Sequence, residues 1–151
     1  MRQSEGFSFV ELMVVLSILG IVAALLFPLL AASEVRHKEA ALKQALSDIR
    51  GAIDAYHSEA HSGLISARTQ SGYPRTLDDL LVQRSQQGLP FLRAIPADPF
   101  YTGGGAVKPE ATWRQRSSQS SPENPRPGED IYDVYSSSSA IGSNGRPYSQ
   151  W

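Results

Sequence analysis

From Phe7 to Ala32 the chain runs through 26 residues in which Glu11 is the only ionisable side chain. Such a stretch has few places to go. As a helix it would be about 39 Å long at about 1.5 Å per residue, and a bilayer core is about 30 Å thick. Leu, Met, Ala and Ile favour helix here, and Val14, Val15 and Val22 are tolerated in one. The spacing predicts a helix that can cross a membrane, yet a plain anchor has no use for Glu11 or for Pro28. A carboxylate at the centre of a membrane helix costs about 2.5–3.5 kcal/mol, less toward an end, and marks function by default.

Nothing positively charged lies between Phe7 and Val35 to answer Glu11. A cut after Gly6 would expose a new amino group on Phe7, one helical turn away, and a neighbouring copy displaced along the axis would offer its own amine. Pro28 lacks an amide hydrogen and clashes with the carbonyl four residues earlier, so it bends or opens a helix. Gly20 and Ala24, four apart, make a small-residue face that permits close helix approach. A cleaved secretory signal is the competing reading, with Leu29–Ser33 as its cleavage site. Its apolar core, however, is normally about 7–15 residues long and carries no acid.

The rest of the chain is of single-domain size. Of 14 Lys/Arg only Arg2 precedes Ser33, and of 15 Asp/Glu only Glu5 and Glu11 do, so the part from Ser33 onward is formally neutral. Neutrality removes the positive field of a nucleic-acid binder, and Arg114, Arg116, Arg126 and Arg146 read as solvated surface. There is no cysteine, hence no disulfide, zinc–thiolate site or thiol nucleophile. No nucleophile–base pair, phosphate loop or metal cluster stands out, so the expectation is that the protein is not an enzyme.

The residues Gly6–Pro28 resemble the N-terminus of the type IV pilin and pseudopilin family: a short leader ending in glycine, then Phe, then an apolar helix with glutamate fifth from the new start. Here the leader is Met1–Gly6, the start is Phe7 and Glu11 is fifth. The resemblance implies cleavage between Gly6 and Phe7 by a prepilin peptidase, methylation of the Phe7 amine, and assembly through Phe7, Glu11, Gly20, Ala24 and Pro28. It also implies a subunit held in the bacterial inner membrane by one span, with its globular part in the periplasm, and later drawn into a filament. The positive-inside count, with Arg2 facing Arg36, Lys38 and Lys43, taken literally favours the opposite topology. The implied domains are a leader (1–6), a membrane and filament-core helix (7–32) and a periplasmic globular domain (33–151).

Past Pro28 the helix pattern continues. Leu42, Leu46, Ile49, Ile53, Tyr56 and Ala60 form an apolar stripe, with Lys43, Ser47, Arg50, Asp54, His57 and His61 opposite. Arg50 and Asp54 are placed to pair at i,i+4. His57 and His61 lie on the solvated side and lack the glutamate spacing of a zinc protease motif. Gly63 ends the helix. A short helix follows at Thr76–Leu81, with Thr76 and Asp79 in a capping arrangement and Leu77, Leu80 and Leu81 facing the core. Gly88–Phe100 is too rich in proline for regular structure and offers Leu89, Phe91, Leu92 and Ile95 for burial. Strands are expected around Trp113 and from Asp130 to Ser136, flanking a polar, Pro-rich loop too poor in apolar groups to pack. Tyr148 and Trp151 are expected to cover the sheet.

The order of these pieces resembles the major pseudopilin of type II secretion. The implied fold is α+β and type IV pilin-like: a long N-terminal helix whose second half packs on a small C-terminal antiparallel sheet, with a short helix and loops between. The implied role is a pseudopilus subunit for protein export across the outer membrane. Its partners would be copies of itself and other pseudopilins, prepilin peptidase, an inner-membrane assembly platform and the lipid bilayer, with no nucleic acid. A type IV pilus pilin, for adhesion, motility or DNA uptake, and an exported periplasmic binding protein are the alternatives. Major pseudopilins hold calcium in the C-terminal loop, but Ser137–Trp151 contains no carboxylate here. Asp130, Asp133 and Asn144 are the candidate ligands for a cation that wants several carboxylates, and the loop reads first as structural.

Overall fold

The computed structural model describes residues 8–151, and for 25–32 the backbone alone. The chain divides into two compact units, Met1–His37 and Lys38–Trp151. Helix α1, Phe9–His61, contributes to both. Then come a short helix α2 (Asp79–Val82), a 3₁₀ turn at Pro109–Thr112, strand β1 (Trp113–Arg116), strand β2 (Asp133–Ser136) and a closing 3₁₀ turn at Tyr148–Gln150. A long N-terminal helix, a short helix and a two-stranded antiparallel sheet make this an α+β architecture of the pilin-like kind.

In the first unit every described large apolar side chain from Phe9 to Val22 is exposed. In the second, the predicted stripe is the core: Leu42, Leu46, Ile49, Ile53 and Tyr56 are buried, with Ala60 packed at the edge. Repeats of three and four keep these side chains on one helix face, where Leu77, Leu80, Ile95, Trp113, Ile131 and Val134 meet them. The helix ends as its sequence predicts. Gly63 takes the left-handed conformation (φ 69°), Leu64 N–H donates to Glu59 O (2.9 Å) and Gly63 N–H to Ala60 O (3.1 Å). This pairing satisfies carbonyls that the last turn would otherwise leave open.

At α2 the acid does the capping: the Asp79 carboxylate accepts from the Arg75 and Thr76 amides (3.0 and 3.1 Å) and pairs with Arg68 at 3.1 Å. Leu77 and Leu80 are buried and Leu81 packs beside them. The two strands pair with Trp113 opposite Ser136 and Arg116 opposite Asp133. β2 starts three residues later than the alternation predicts. Upstream of it Ile131 N–H is drawn to Pro74 O (2.8 Å) and Tyr132 N–H to Arg116 O (2.9 Å). Ile131 and Val134, of opposite parity, are both buried as a result.

Several expectations are corrected. Arg50 does not pair with Asp54; its guanidinium turns into the fold and binds Asp133, because a planar fork with fixed donors finds more acceptors there than one exposed carboxylate offers. Arg116 is not solvated surface: only 16% of its side chain is exposed, 3.6 Å from Asp133, and it lies over the Tyr132 ring. His57 leaves the solvated side to stack on Tyr73, with ring centroids 4.0 Å apart. Leu89 is 60% exposed, since the Ser85–Leu89 turn closes on its own backbone (Ser85 N–H to Leu89 O, 2.8 Å).

The fully buried Ile53 and the exposed Leu89 therefore separate two costs. Ile53→Ala is expected to lower stability by about 2–5 kcal/mol, and Leu89→Ala to change it by no more than about 0.5 kcal/mol, in urea unfolding of the full chain in detergent.

Candidate functional site

The first candidate site is the start of α1. Leu12 N–H donates to Ser8 O (3.0 Å) and opens the helical ladder, which places Glu11 in the first turn. There the unpaired amides and the positive end of the helix dipole favour a carboxylate, so the helix itself supplies part of what the sequence lacks in cations. Glu11 is exposed among exposed apolar neighbours. Gly20 has open space where a Cβ would stand, and Ala24 is exposed. Gly6 and Phe7 lie outside the described residues, as does the side chain of Pro28 and with it the expected bend. Ser17 was not singled out from sequence; its hydroxyl donates to Met13 O (2.8 Å), which satisfies the one hydroxyl in the middle of this apolar stretch without water. Among the described residues no helix is long and apolar enough to cross a membrane.

The second candidate is polar and binds the folded unit together. Glu39 is buried at one end of the stripe. Its carboxylate accepts from the Ser143 amide (2.7 Å), the Ser143 hydroxyl (2.5 Å) and the Tyr148 hydroxyl (3.0 Å). The Ser143 hydrogen bonds, and after them Tyr148 and the charge of Lys43, hold its acidity below the ordinary carboxylate value. Eleven residues on, three turns later and nearly in line, Arg50 donates Nε to Asp133 (2.8 Å) and Nη2 to Val134 O (3.0 Å) and Trp151 O (2.9 Å). Residues 142–151 thus form a strap pinned to α1 at both ends. Gly142 lets it lie close: a Cβ there would collide with Tyr148 and the Trp151 ring. Tyr148 is buried and stacks on Phe100 with centroids 3.8 Å apart. The tail aromatics accordingly cover the folded unit, with α1 as well as the sheet beneath them.

The Pro-rich loop is anchored by polar groups rather than by apolar ones. Asp130, buried, accepts hydroxyl hydrogen bonds from Ser117 (2.5 Å), Ser118 (2.6 Å) and Ser71 (2.5 Å), plus the Ser118 amide (3.0 Å). Burial alone would raise its pKa, but these donors outweigh it and bring it to about 2. Asp98 plays a similar part beneath β2, accepting from Ser136 Oγ (2.7 Å) and the Phe100 amide (2.8 Å).

The three candidate calcium ligands fall into separate networks. Asp130 belongs to the serine cluster, Asp133 faces two guanidinium groups, and Asn144 Oδ1 accepts from the Arg146 amide in its own turn (2.9 Å). Asp133 beside two cations does not suit a hard dication that needs several free carboxylate oxygens. Among the described residues no three His, Asp or Glu side chains group as a metal would require.

With this geometry in view, residues 1–27 match the family described as the prokaryotic N-terminal methylation motif. No curated protein and no solved structure matches the chain. The motif supports a pilin-like or pseudopilin subunit, processed by prepilin peptidase, methylated and assembled with related chains; it implies an N-terminal helix anchored in a membrane and a domain outside the cytoplasm.

The serine cluster makes stability depend on acid in a definite sense. Asp130 is held at about 2 against an ordinary 3.8, so its contribution is fully present above about pH 4 and fades as the pH falls toward 2. Asp130→Asn is expected to cost on the order of 2–3 kcal/mol near neutral pH. In thermal melts at stepped pH, the gap between variant and wild type should close below pH 4.

Proposed function

We propose that this protein is a structural subunit of a type II secretion-like pseudopilus, assembled from the bacterial inner membrane to drive protein export across the outer membrane. The chain is cut between Gly6 and Phe7 and methylated on the Phe7 amine. It then waits in the inner membrane with Lys38–Trp151 in the periplasm until it joins a helical filament of its own copies and related subunits. Its work is mechanical rather than catalytic, with energy supplied by an ATPase on the cytoplasmic side, and it calls for no cofactor.

The observation that carries this reading is Glu11. It stands in the first turn of a helix whose apolar side chains are exposed on every side from Phe9 to Val22. In lipid such a surface is at rest, because the bilayer is as apolar as the side chains. An acid among them is not at rest until a cation arrives. The amine of a neighbouring Phe7 is that cation, and its pairing sets the axial register of each incoming subunit. Gly20 and Ala24 let the helices approach, and Pro28 gives the apolar segment freedom to adjust its path. The methylation motif over residues 1–27 supports the same roles. Two features favour the secretion pseudopilus over a true pilus: the absence of a cysteine pair to staple the C-terminal region, and the order of segments from Thr76 to Trp151.

The test is Glu11→Ala in cells that assemble the filament. The variant should stay in the membrane fraction and be processed, while its incorporation into sheared filaments falls at least tenfold. Incorporation equal to wild type would overturn the assignment.

A further inference from the structure

Between the strap and α1 lies an open groove of about 300 Å³ lined by Lys43, Leu46, Ser47, Arg50, Asn144 and Trp151. Lys43, Ser47 and Arg50 succeed one another at i, i+4 and i+7, so they stand in a row along one face of the helix. Leu46 and the Trp151 indole supply the apolar surface. No carboxylate lines the groove.

The donors here are unspent. The Lys43 ammonium rests over the Trp151 ring, 4.8 Å from its centroid, a contact that is weak at an exposed site. Arg50 uses Nε and Nη2 on Asp133, Val134 O and Trp151 O, which leaves Nη1 over. Asn144 is oriented by the Arg146 amide on its Oδ1, which leaves its NH₂ group to donate. Ser47 is exposed and brings a hydroxyl. The nearby carboxylates are engaged elsewhere: Glu39 by Ser143 and Tyr148, Asp133 by Arg50 and Arg116. A volume of this size is at the small end for a ligand site.

We propose that this groove binds a small organic carboxylate with a flat apolar body. The body lies against Trp151 and Leu46, and the carboxylate takes the Lys43 ammonium from the ring, with Ser47, Asn144 and Arg50 Nη1 as further donors. Two cations and a flat wall select an anion that is also apolar, and hydrogen bonds to an ionised acceptor are the strong ones. The site lies wholly within Lys38–Trp151 and does not depend on filament assembly.

The experiment uses the full chain, ¹⁵N-labelled in detergent micelles, and reads the two indole N–H signals. Trp113 is the internal control, since its Nε1 donates to Pro96 O inside the core (2.7 Å). Benzoate is the probe, with benzyl alcohol as its uncharged counterpart and inorganic phosphate as the anion without an apolar body. Benzoate should shift the Trp151 signal saturably and leave Trp113 in place. Benzyl alcohol and phosphate should bind at least tenfold more weakly, and Lys43→Gln should weaken benzoate at least tenfold with the Trp113 signal unmoved. No saturable shift up to roughly 20 mM, equal binding of either control probe, or full affinity in Lys43→Gln would overturn the proposal.

Discussion

An apolar helix surface that the chain leaves uncovered is the constraint from which the rest follows. From Phe9 to Val22 the large side chains are exposed, and each carries the cost of apolar area held against water, about 25 cal/mol per Å². A cost of that kind, summed over so many residues, has to be met by lipid or by other helices. Glu11 decides how the two differ. Lipid covers the apolar residues and leaves the acid unanswered, whereas a neighbouring helix with a free amine covers the first and neutralises the second. In the proposed reading this difference is the driving force that moves a subunit from bilayer to filament.

The folded unit solves the opposite problem, since it has a small core and many loops. Its apolar stripe on α1 gathers the core residues, but only two short strands and one turn of helix pack upon it. Buried carboxylates do the remaining work of holding loops in place. Glu39 and Arg50 pin the strap, Asp130 gathers three serines from two loops, and Asp98 ties the Pro-rich segment to β2. Each is matched by donors, as a buried acid must be. Polar anchoring of this sort fixes a single arrangement where a larger core would have relied on packing.

How much of this was legible in the sequence depends on how far apart the partners lie. The N-terminal signature is a matter of neighbours, and Gly6, Phe7, Glu11 and Pro28 can be read in a line. The stripe from Leu42 to Ala60, the turn at Gly63 and the region of both strands follow from period and local chemistry, and the structure has them. The polar hubs were missed because their contacts are remote. Glu39 meets Ser143 across 104 positions and Arg50 meets Asp133 across 83, distances over which pattern carries no information. One signal was available: stepping back three residues from Leu42 along the stripe arrives at Glu39, an acid on the core face. Arg50 misled for the complementary reason, since Asp54 offers a partner close by that the fold does not use.

The central claim is that the apolar helix is kept as a working part of the mature protein, with Phe7 as its new first residue. Mass spectrometry of the mature chain isolated from the membrane tests this most directly. The prediction is a chain that begins at Phe7 and carries one methyl group on its amine. A mature chain beginning at Ser33 would contradict it, because the helix would then have been discarded along with Glu11.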